Sequence, residues 1–493
     1  MAEVIISAGI DIGTSTTQLI FSRITIENTA GVSSVPRISV IDKRIIYESE
    51  IYITPLISET RIDEAAVREI VLKEYRLAGI QPKSVTTGAV IITGETARKE
   101  NAGAVLGAMS GLAGDFVVAT AGPDLEGIIA GKGSGASEMS LAAHMPTANL
   151  DIGGGTTNIA VFSEGEVTAT ACFDIGGRLI KLAADNATVE YISPKLDKHC
   201  KDAGIPISAG RRASAADLRK ICAWMARVLL ASLGFAESGD LGYMATGGLL
   251  NYAAPALITF SGGVANYIYD ASFAGISSAD TSSARVSPAG DSPAGDFPHG
   301  DIGVLLGREI RSAFSGVWER VRAPLHTIRA TVIGAGMYST ELSGSTITYE
   351  GVSFPIKNIP IIKLSKEEES LEQERFVETV RQKLAWYRDE QGQSATALSL
   401  AGVHNITFEG LQQYARKISA ALSPLGNAGH PQIVVIERDM AKALGQALLL
   451  TLENRRLVCI DGISTSHGDY IDIGAPLMGG RVLPVVIKTL VFH

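Results

Sequence analysis

The sequence predicts an α/β fold made of two copies of one unit, followed by a smaller α/β unit. Three observations predict it. Segments with the period of strands alternate with segments of helical period along the chain. A strand ending in Asp-Ile-Gly opens the chain at Asp11 and recurs at Asp151, with a similar order of elements after it. Hydrophobic residues make up 46% of 493 positions, enough for several cores, and one core rarely spans that length.

The first unit, residues 1–148, begins with an apolar strand from Val4 to Ile12. Segments rich in β-branched residues follow at 17–25, 35–47 and 49–56 and read as extended. Asp63 to Leu77 reads as a helix, with apolar Ala66, Val67, Ile70, Val71 and Tyr75 at helical spacing. Asp63 and Glu64 suit its positive end and Gly79 its C-cap. Strands are expected at Val85–Ile92 and Phe116–Ala121, and helices at 97–110 and 124–143.

The second unit, residues 149–345, repeats this. Its strands are expected at 149–152, 157–163, 166–173 and 256–261, a helix at 214–235, a helix at 303–316 and a strand at 330–335. Between 277 and 300 lies a Ser/Ala/Gly/Pro/Asp stretch with a tandem Ser-Pro-Ala-Gly-Asp repeat, which has nothing to fill a core and reads as a mobile surface loop. The third unit, 366–493, opens with a charged helix from Lys366 to about Arg388. A helix at 408–422, a strand at Pro431–Glu437, a helix at 439–453 and strands at Leu457–Asp461 and 482–492 follow.

Composition excludes several function classes. The formal net charge is −9, so a broad basic surface for nucleic acid is not expected. No apolar run reaches the roughly 18 residues of a membrane span, and Met1-Ala2-Glu3 lacks the basic start of a secretion signal. Cys172, Cys200, Cys222 and Cys459 match neither a disulfide framework nor a zinc knuckle, and read as buried thiols of a cytoplasmic protein.

Two stretches carry chemistry. Asp11-Ile12-Gly13-Thr14-Ser15-Thr16 and Asp151-Ile152-Gly153-Gly154-Gly155-Thr156-Thr157-Asn158 each place an acid at a strand end, then a glycine turn, then hydroxyls. Glycine removes the Cβ that would keep an anion from backbone N–H groups, and the hydroxyls add donors for phosphate. A carboxylate beside phosphate implies a cation between them. Two such turns opening similar units suggest two hairpins closing on one nucleotide. A third stretch, Ile258 to Ala265, runs a strand into Gly262-Gly263, where a flat base or ribose can lie on backbone.

These motifs resemble the two phosphate motifs and the adenosine motif of the superfamily of actin, sugar kinases and heat-shock chaperone ATPases. The resemblance implies duplicated actin-like (ribonuclease H-like) ATPase lobes with a nucleotide cleft between them. Pro123 to Gly131 resembles the first connecting helix, whose carboxylate or amide orients the attacking water; Asp124 or Glu126 fills that role. Asp301 to Gly307 resembles the second connecting helix, and Phe173 to Gly177 the Asp-x-Gly-Gly turn of the chaperone branch. No lysine matches the one that chaperone ATPases place near the γ-phosphate.

Within the superfamily, Ala8–Gln18, Gly122–Ser137, Leu150–Ala160, Phe260–Tyr269, Gly334–Ser339 and Cys459–Pro476 resemble the reactivating factors of ethanolamine ammonia-lyase. The family implies a chaperone that binds ATP and Mg²⁺, engages the lyase and lets damaged cobalamin leave so that adenosylcobalamin can rebind. It also implies bacterial ethanolamine catabolism, often linked to a microcompartment. On this resemblance Asp11 and Asp151 hold Mg²⁺, mostly through waters. Gly13, Thr14, Ser15, Thr16, Gly153, Gly154, Gly155, Thr156 and Asn158 cradle phosphates, and Gly262 and Gly263 contact adenosine. The partner is the lyase, with cobalamin met only through it. A small-molecule kinase on the same scaffold is the alternative.

Other clusters read as ordinary. Asp461, His467, Asp469 and Asp472 match no standard metal-ligand spacing. Gly334-Ala335-Gly336 after a strand reads equally as a packing turn or a nucleotide contact. Arg211, Arg212, Arg219 and Arg227 read as a solvated face.

Overall fold

The computed structural model describes the chain apart from residues 1, 14–15, 31–37, 59–60, 94–98, 110–111, 113–117, 121–122, 238, 247–253, 271–296, 339, 345, 386–387, 390–391, 394, 428, 453–454, 466–468 and 490–493. Thr14, Ser15, most of the low-complexity stretch and His467 therefore lie outside the described residues.

Strand β1 (Glu3–Ile12) is buried from Ser7 to Ile12, as a central strand of apolar residues should be. It pairs antiparallel with β2 (Thr16–Asn28), which pairs antiparallel with β3 (Ile38–Glu48). Helix α1 (Glu64–Ala78) starts where Asp63 accepts from the Ala66 N–H and ends at left-handed Gly79. It leads to β4 (Val85–Ile92), parallel to β1; α2 (Ala102–Met109) leads to β5 (Val118–Thr120). The strand order is β3-β2-β1-β4-β5. The helix expected at 124–143 is two, α3 (Pro123–Gly133) and α4 (Ala136–Ala143), interrupted at Gly135 with φ of 86°.

The second sheet repeats the first as far as β4, and among the described residues it has no counterpart of β5. Strands β6 (Thr147–Ile152), β7 (Thr157–Ser163) and β8 (Glu166–Phe173) are antiparallel neighbours. Strand β9 (Leu257–Ser261) returns parallel to β6, giving the order β8-β7-β6-β9. The crossover includes α5 (Pro194–Asp202), which the sequence reading missed, and α6 (Ala215–Ser232), capped by Ser214. The core of this lobe contains Cys200 and Cys222, and all four cysteines are buried and joined in no disulfide. Arg212 and Arg219 keep exposed side chains, paired with Asp185 and Glu309.

Two expectations are corrected around the end of this lobe. Residues 330–335 belong to a helix, α9 (Ala330–Tyr338), preceded by α7 (Ala265–Tyr269) and α8 (Gly303–Ala313). Thr331-Val332-Ile333 in a short apolar run reads as a strand, but a wholly buried helix gives the same signal. Ala330, Val332, Ile333, Ala335 and Met337 are all buried. Helix α8, which resembled the second connecting helix, packs on α6 and α7 inside the second lobe. It is α9 that joins the lobes, lying on α3, β1, β2 and β4.

The third unit starts earlier than the sequence reading placed it. Its sheet takes in β10 (Thr340–Leu342), β11 (Thr348–Glu350) and β12 (Ile356–Lys363). The charged helix is shorter than expected: Lys366–Glu369, then α10 (Gln373–Ala385), with Arg388 in a short strand. Then come β13 (Ala397–Leu400), α11 (Phe408–Asn427), β14 (Gln432–Ile436), α12 (Ala441–Leu449), β15 (Leu457–Asp461), β16 (Asp469–Ile473) and β17 (Pro484–Thr489). The order is β10-β17-β16-β12-β13-β14-β15-β11, with β12 to β15 parallel. Leu477 and Val482 pack against Ile5, Ile24, Ile26 and Ile38, and the Met478 N–H donates to Glu3 at 2.7 Å, so this unit sits on the first lobe.

Asp461 caps α12, accepting from the Met440 and Ala441 N–H groups at 3.1 and 2.9 Å. Asp472 accepts from the Asn358 N–H at 2.6 Å. Among the described residues no group of three His, Cys, Asp or Glu could hold a metal ion.

Candidate functional site

The duplicated turns close in the same way. The Gly13 N–H donates to the Thr16 carbonyl at 2.8 Å, and the Gly153 N–H to the Thr156 carbonyl at 2.9 Å. Each forms a tight hairpin that carries its acid at the end of the first strand. The first is braced by Thr54, whose hydroxyl donates to the Gly13 carbonyl at 2.8 Å. The second is braced by the turn after β8: the Gly177 and Arg178 N–H groups donate to the Gly153 and Gly154 carbonyls at 3.0 and 2.7 Å. A Cβ on Gly176 would overlap the Gly154 carbonyl, which is why this turn needs glycine.

The lobes place the hairpins face to face across a cleft of about 280 Å³. Asp11, Gly13 and Thr16 line one wall; Asp151, Gly153, Gly154, Gly155 and Thr156 line the other. Gly262 and Gly263 line it at the start of α7. Gly262 has φ of 86°, and a Cβ there would collide with the Ile152 carbonyl, so it seats the turn against β6. Gly263 has open space around it.

The register left open in the first connecting helix separates in space. Glu126 is buried and lines the cleft. Asp124 is not among the lining residues and accepts from the Thr170 hydroxyl at 2.6 Å. Asn158 also lies off the lining, 1% exposed. The cleft adds residues that the sequence reading did not single out, among them Gln18, Thr93, Arg178, Tyr267, His299, Ile328 and Thr331. Arg178 pairs with Asp301 at 3.3 Å, and the Tyr267 hydroxyl lies 2.7 Å from His299 Nε2. No local pattern marks most of them, because they enter through long-range contacts.

Both cleft acids are buried. Asp11 accepts from the Thr93 hydroxyl at 3.0 Å. Asp151 accepts from the Ser261 hydroxyl at 2.6 Å and the Thr331 hydroxyl at 3.4 Å. Burial pushes Asp11 up to about 7; the Thr93 bond opposes this, and the charge of Asp151 adds to it. Burial pushes Asp151 up to about 6 against the bonds from Ser261 and Thr331.

The sign of the pH effect follows. A carboxyl that holds its proton more tightly when folded stabilises the fold fully only below its ordinary value of 3.8. That stability is lost as pH rises through the folded value. The metal-free protein is therefore expected to lose thermal stability between about pH 4 and pH 7 through these two groups. Thermal scans against Asp11→Asn isolate the effect. An identical pH profile in wild type and variant would overturn it.

The family profile described as ethanolamine utilisation protein EutA matches residues 3–493. The chain is 37% identical over 489 residues to the ethanolamine ammonia-lyase reactivase EutA of Salmonella typhimurium, covering 99% of this chain and 98% of that protein. It is 36% identical over 491 residues to the ethanolamine ammonia-lyase reactivase EutA of Escherichia coli, covering 99% and 98%. Among solved structures, the Aquifex aeolicus member of the Ppx/GppA family aligns at 14% identity and a TM-score of 0.37, covering 67% of this chain and 97% of that one. The chain belongs to the family of ethanolamine utilisation proteins EutA.

Proposed function

We propose that this chain is an ATP-dependent, chaperone-like reactivating factor that releases damaged cobalamin from ethanolamine ammonia-lyase so that adenosylcobalamin can rebind. Family membership supplies the partner. The observation that carries the ATP dependence is the meeting of two acid-tipped hairpins, one from each lobe, across a single cleft.

The residues fit a magnesium ion. Two buried carboxylates face one space with hydroxyl donors behind them, and burial disfavours the charge of both, which a cation between them would compensate. A two-carboxylate set suits an ion that keeps most of its waters and leans on phosphate oxygens. Held by Asp11 and Asp151, such an ion would supply positive charge against the phosphates. Asp11 and Asp151 hold it, and the backbone of Gly13, Thr16 and Gly153 to Thr156 cradles the phosphates together with Thr14 and Ser15. Gly262 and Gly263 face adenosine. Glu126, rather than Asp124, orients the attacking water, because it is the carboxylate on α3 that lines the cleft.

The lobes supply the mechanics. A nucleotide that touches both hairpins favours the closed cleft by the difference between its affinities for the closed and open states. Losing the γ-phosphate removes part of that difference. The open and closed forms then present different surfaces to the lyase. Among the described residues no helix is long and apolar enough to cross a membrane, and we place the activity in the cytoplasm, in association with a microcompartment.

The test uses ethanolamine ammonia-lyase loaded with cyanocobalamin, an inert stand-in for the damaged cofactor. This protein, Mg²⁺–ATP and free adenosylcobalamin are added and lyase activity is followed. Recovery that needs both ATP and this chain is expected. ATP turnover with no recovery, or steady phosphorylation of a small metabolite, would overturn the reading in favour of a kinase.

A further inference from the structure

Strand β2 places Gln18 directly opposite Asp11 in its antiparallel pair with β1. Directly opposed residues share one face of the sheet, with Cβ atoms about 5 Å apart. Gln18 is 3% exposed and lines the cleft. Its amide nitrogen donates to the Ile328 carbonyl at 3.3 Å. A carbonyl can only accept, so this contact fixes which end of the amide is nitrogen. The other end, Oε1, is buried and has no hydrogen-bond partner among the described residues.

The second hairpin repeats the arrangement. Asn158 stands opposite Asp151, is 1% exposed, and also has a buried Oδ1 without a partner. Buried side-chain acceptors without partners are rare in folded proteins. The two stand at equivalent positions of a duplicated hairpin, but only Gln18 lines the cleft, and its acceptor points to a donor that comes with a ligand.

The chemistry of the donor is constrained. Phosphate oxygens at neutral pH are acceptors and cannot satisfy an amide carbonyl. Water bound to a divalent cation gives its oxygen to the metal and turns its hydrogens outward. We propose that Gln18 is a water-positioning residue for the cation site at Asp11 and Asp151: its Oε1 accepts a hydrogen bond from a metal-bound water, and the Ile328 carbonyl locks the amide in that orientation. Ile328 precedes α9, the helix that joins the lobes. The lock is therefore seated where α9 packs on β2, the strand that carries Gln18. This inference rests on the magnesium–nucleotide reading of the cleft.

The experiment titrates Mg²⁺ into the full-length protein at fixed ATP and reads nucleotide binding calorimetrically, with a metal-free thermal scan of each variant. Gln18→Leu is expected to raise the Mg²⁺ midpoint about 10- to 100-fold, the range found when outer-shell partners of a metal are removed. Its metal-free melting temperature is expected to match or exceed that of the wild type, because an unpaired buried acceptor has gone. Gln18→Glu keeps an acceptor at the same place but cannot donate to the Ile328 carbonyl, so it is expected to restore the midpoint in part. An unchanged midpoint in Gln18→Leu, with ATP still bound, would overturn the proposal. Slower hydrolysis with an unchanged midpoint would also overturn it, by moving the donor to the attacking water. A raised midpoint that Gln18→Glu does not rescue would reduce Gln18 to packing. A wild-type protein that binds no Mg²⁺–ATP would instead sink the underlying reading of the cleft, and this inference with it.

Discussion

Asp11→Asn and Asp151→Asn are each expected to lower ATP-dependent reactivation by at least about 100-fold without unfolding the protein. Asparagine keeps the shape of the side chain and an oxygen that can still accept from Thr93 or Ser261. It removes the charge that draws a cation. The two acids come from different lobes, and each hairpin holds its own half of the site. Neither can replace the other, so the double variant should be little worse than either single one. The metal-free fold should respond in the opposite direction. Each raised pKa unit corresponds to about 1.4 kcal/mol. An ionised Asp11 at neutral pH thus costs the fold on the order of 4 kcal/mol in the metal-free state, which asparagine avoids. The expected pair of results is lost reactivation with an unchanged or higher metal-free melting temperature. A variant that reactivates at the wild-type rate would show that the cation is held elsewhere.

The hairpins were legible because their signal is local. An acid, a glycine turn and a hydroxyl run sit within a few residues, and the second copy confirms the first. The duplicated order of elements was legible as far as β9 for the same reason, and the acid Asp63 at the start and the C-cap Gly79 marked α1. What failed depended on distance in the chain. Helix α9 reads as a strand because its burial on every side comes from α3 and the first sheet, neither of them its neighbour in sequence. That error moved the joining role to α8, whose glycine-flanked start at Asp301 resembles the right motif but packs within one lobe. The choice between Asp124 and Glu126 needed the packing of α3, since two carboxylates two residues apart on a helix point about 200° apart. Gln18 and Thr331 became visible only when Ile328 and Asp151 were brought beside them. In the third unit, Pro355 and Pro360 hid β12, because proline argues against a strand in the middle of a sheet. The structure places Pro360 on the side of β12 that pairs with β16, and the parallel pairing with β13 begins only at Ile361.

Gly133→Ala and Gly334→Ala are expected to be the most destabilising single-methyl changes between the lobes. Helices α3 and α9 touch backbone to backbone. A Cβ on Gly133 would overlap the Ala330 carbonyl, and one on Gly334 would overlap the Ile129 carbonyl. Gly9 meets Val332 and Gly336 in the same manner on the β1 side of α9. These neighbours are backbone atoms of buried elements, so no flexible side chain can swing away, and the helices must move apart. Overpacking of this kind costs about 3 kcal/mol or more, which lowers the melting temperature by on the order of 10 °C in units of this size. Gly242, whose added Cβ would meet nothing within 4 Å, supplies the contrast: its alanine variant should stay within about 0.5 kcal/mol of wild type. The double variant Gly133→Ala/Gly334→Ala should cost less than the sum of the singles, because one separation relieves both overlaps. Function should fail before folding does. Helix α3 carries Glu126, and the start of α9 brings Thr331 to Asp151 and Ile328 to Gln18. Spreading the helices by even a fraction of an ångström pulls these groups off the cleft together. ATP-dependent reactivation, measured well below the variants' melting temperatures, should therefore fall in Gly133→Ala and Gly334→Ala while Gly242→Ala keeps it. Wild-type stability in Gly334→Ala would mean that the two helices have room the structure does not give them, and that the lobes are joined by something looser than this contact.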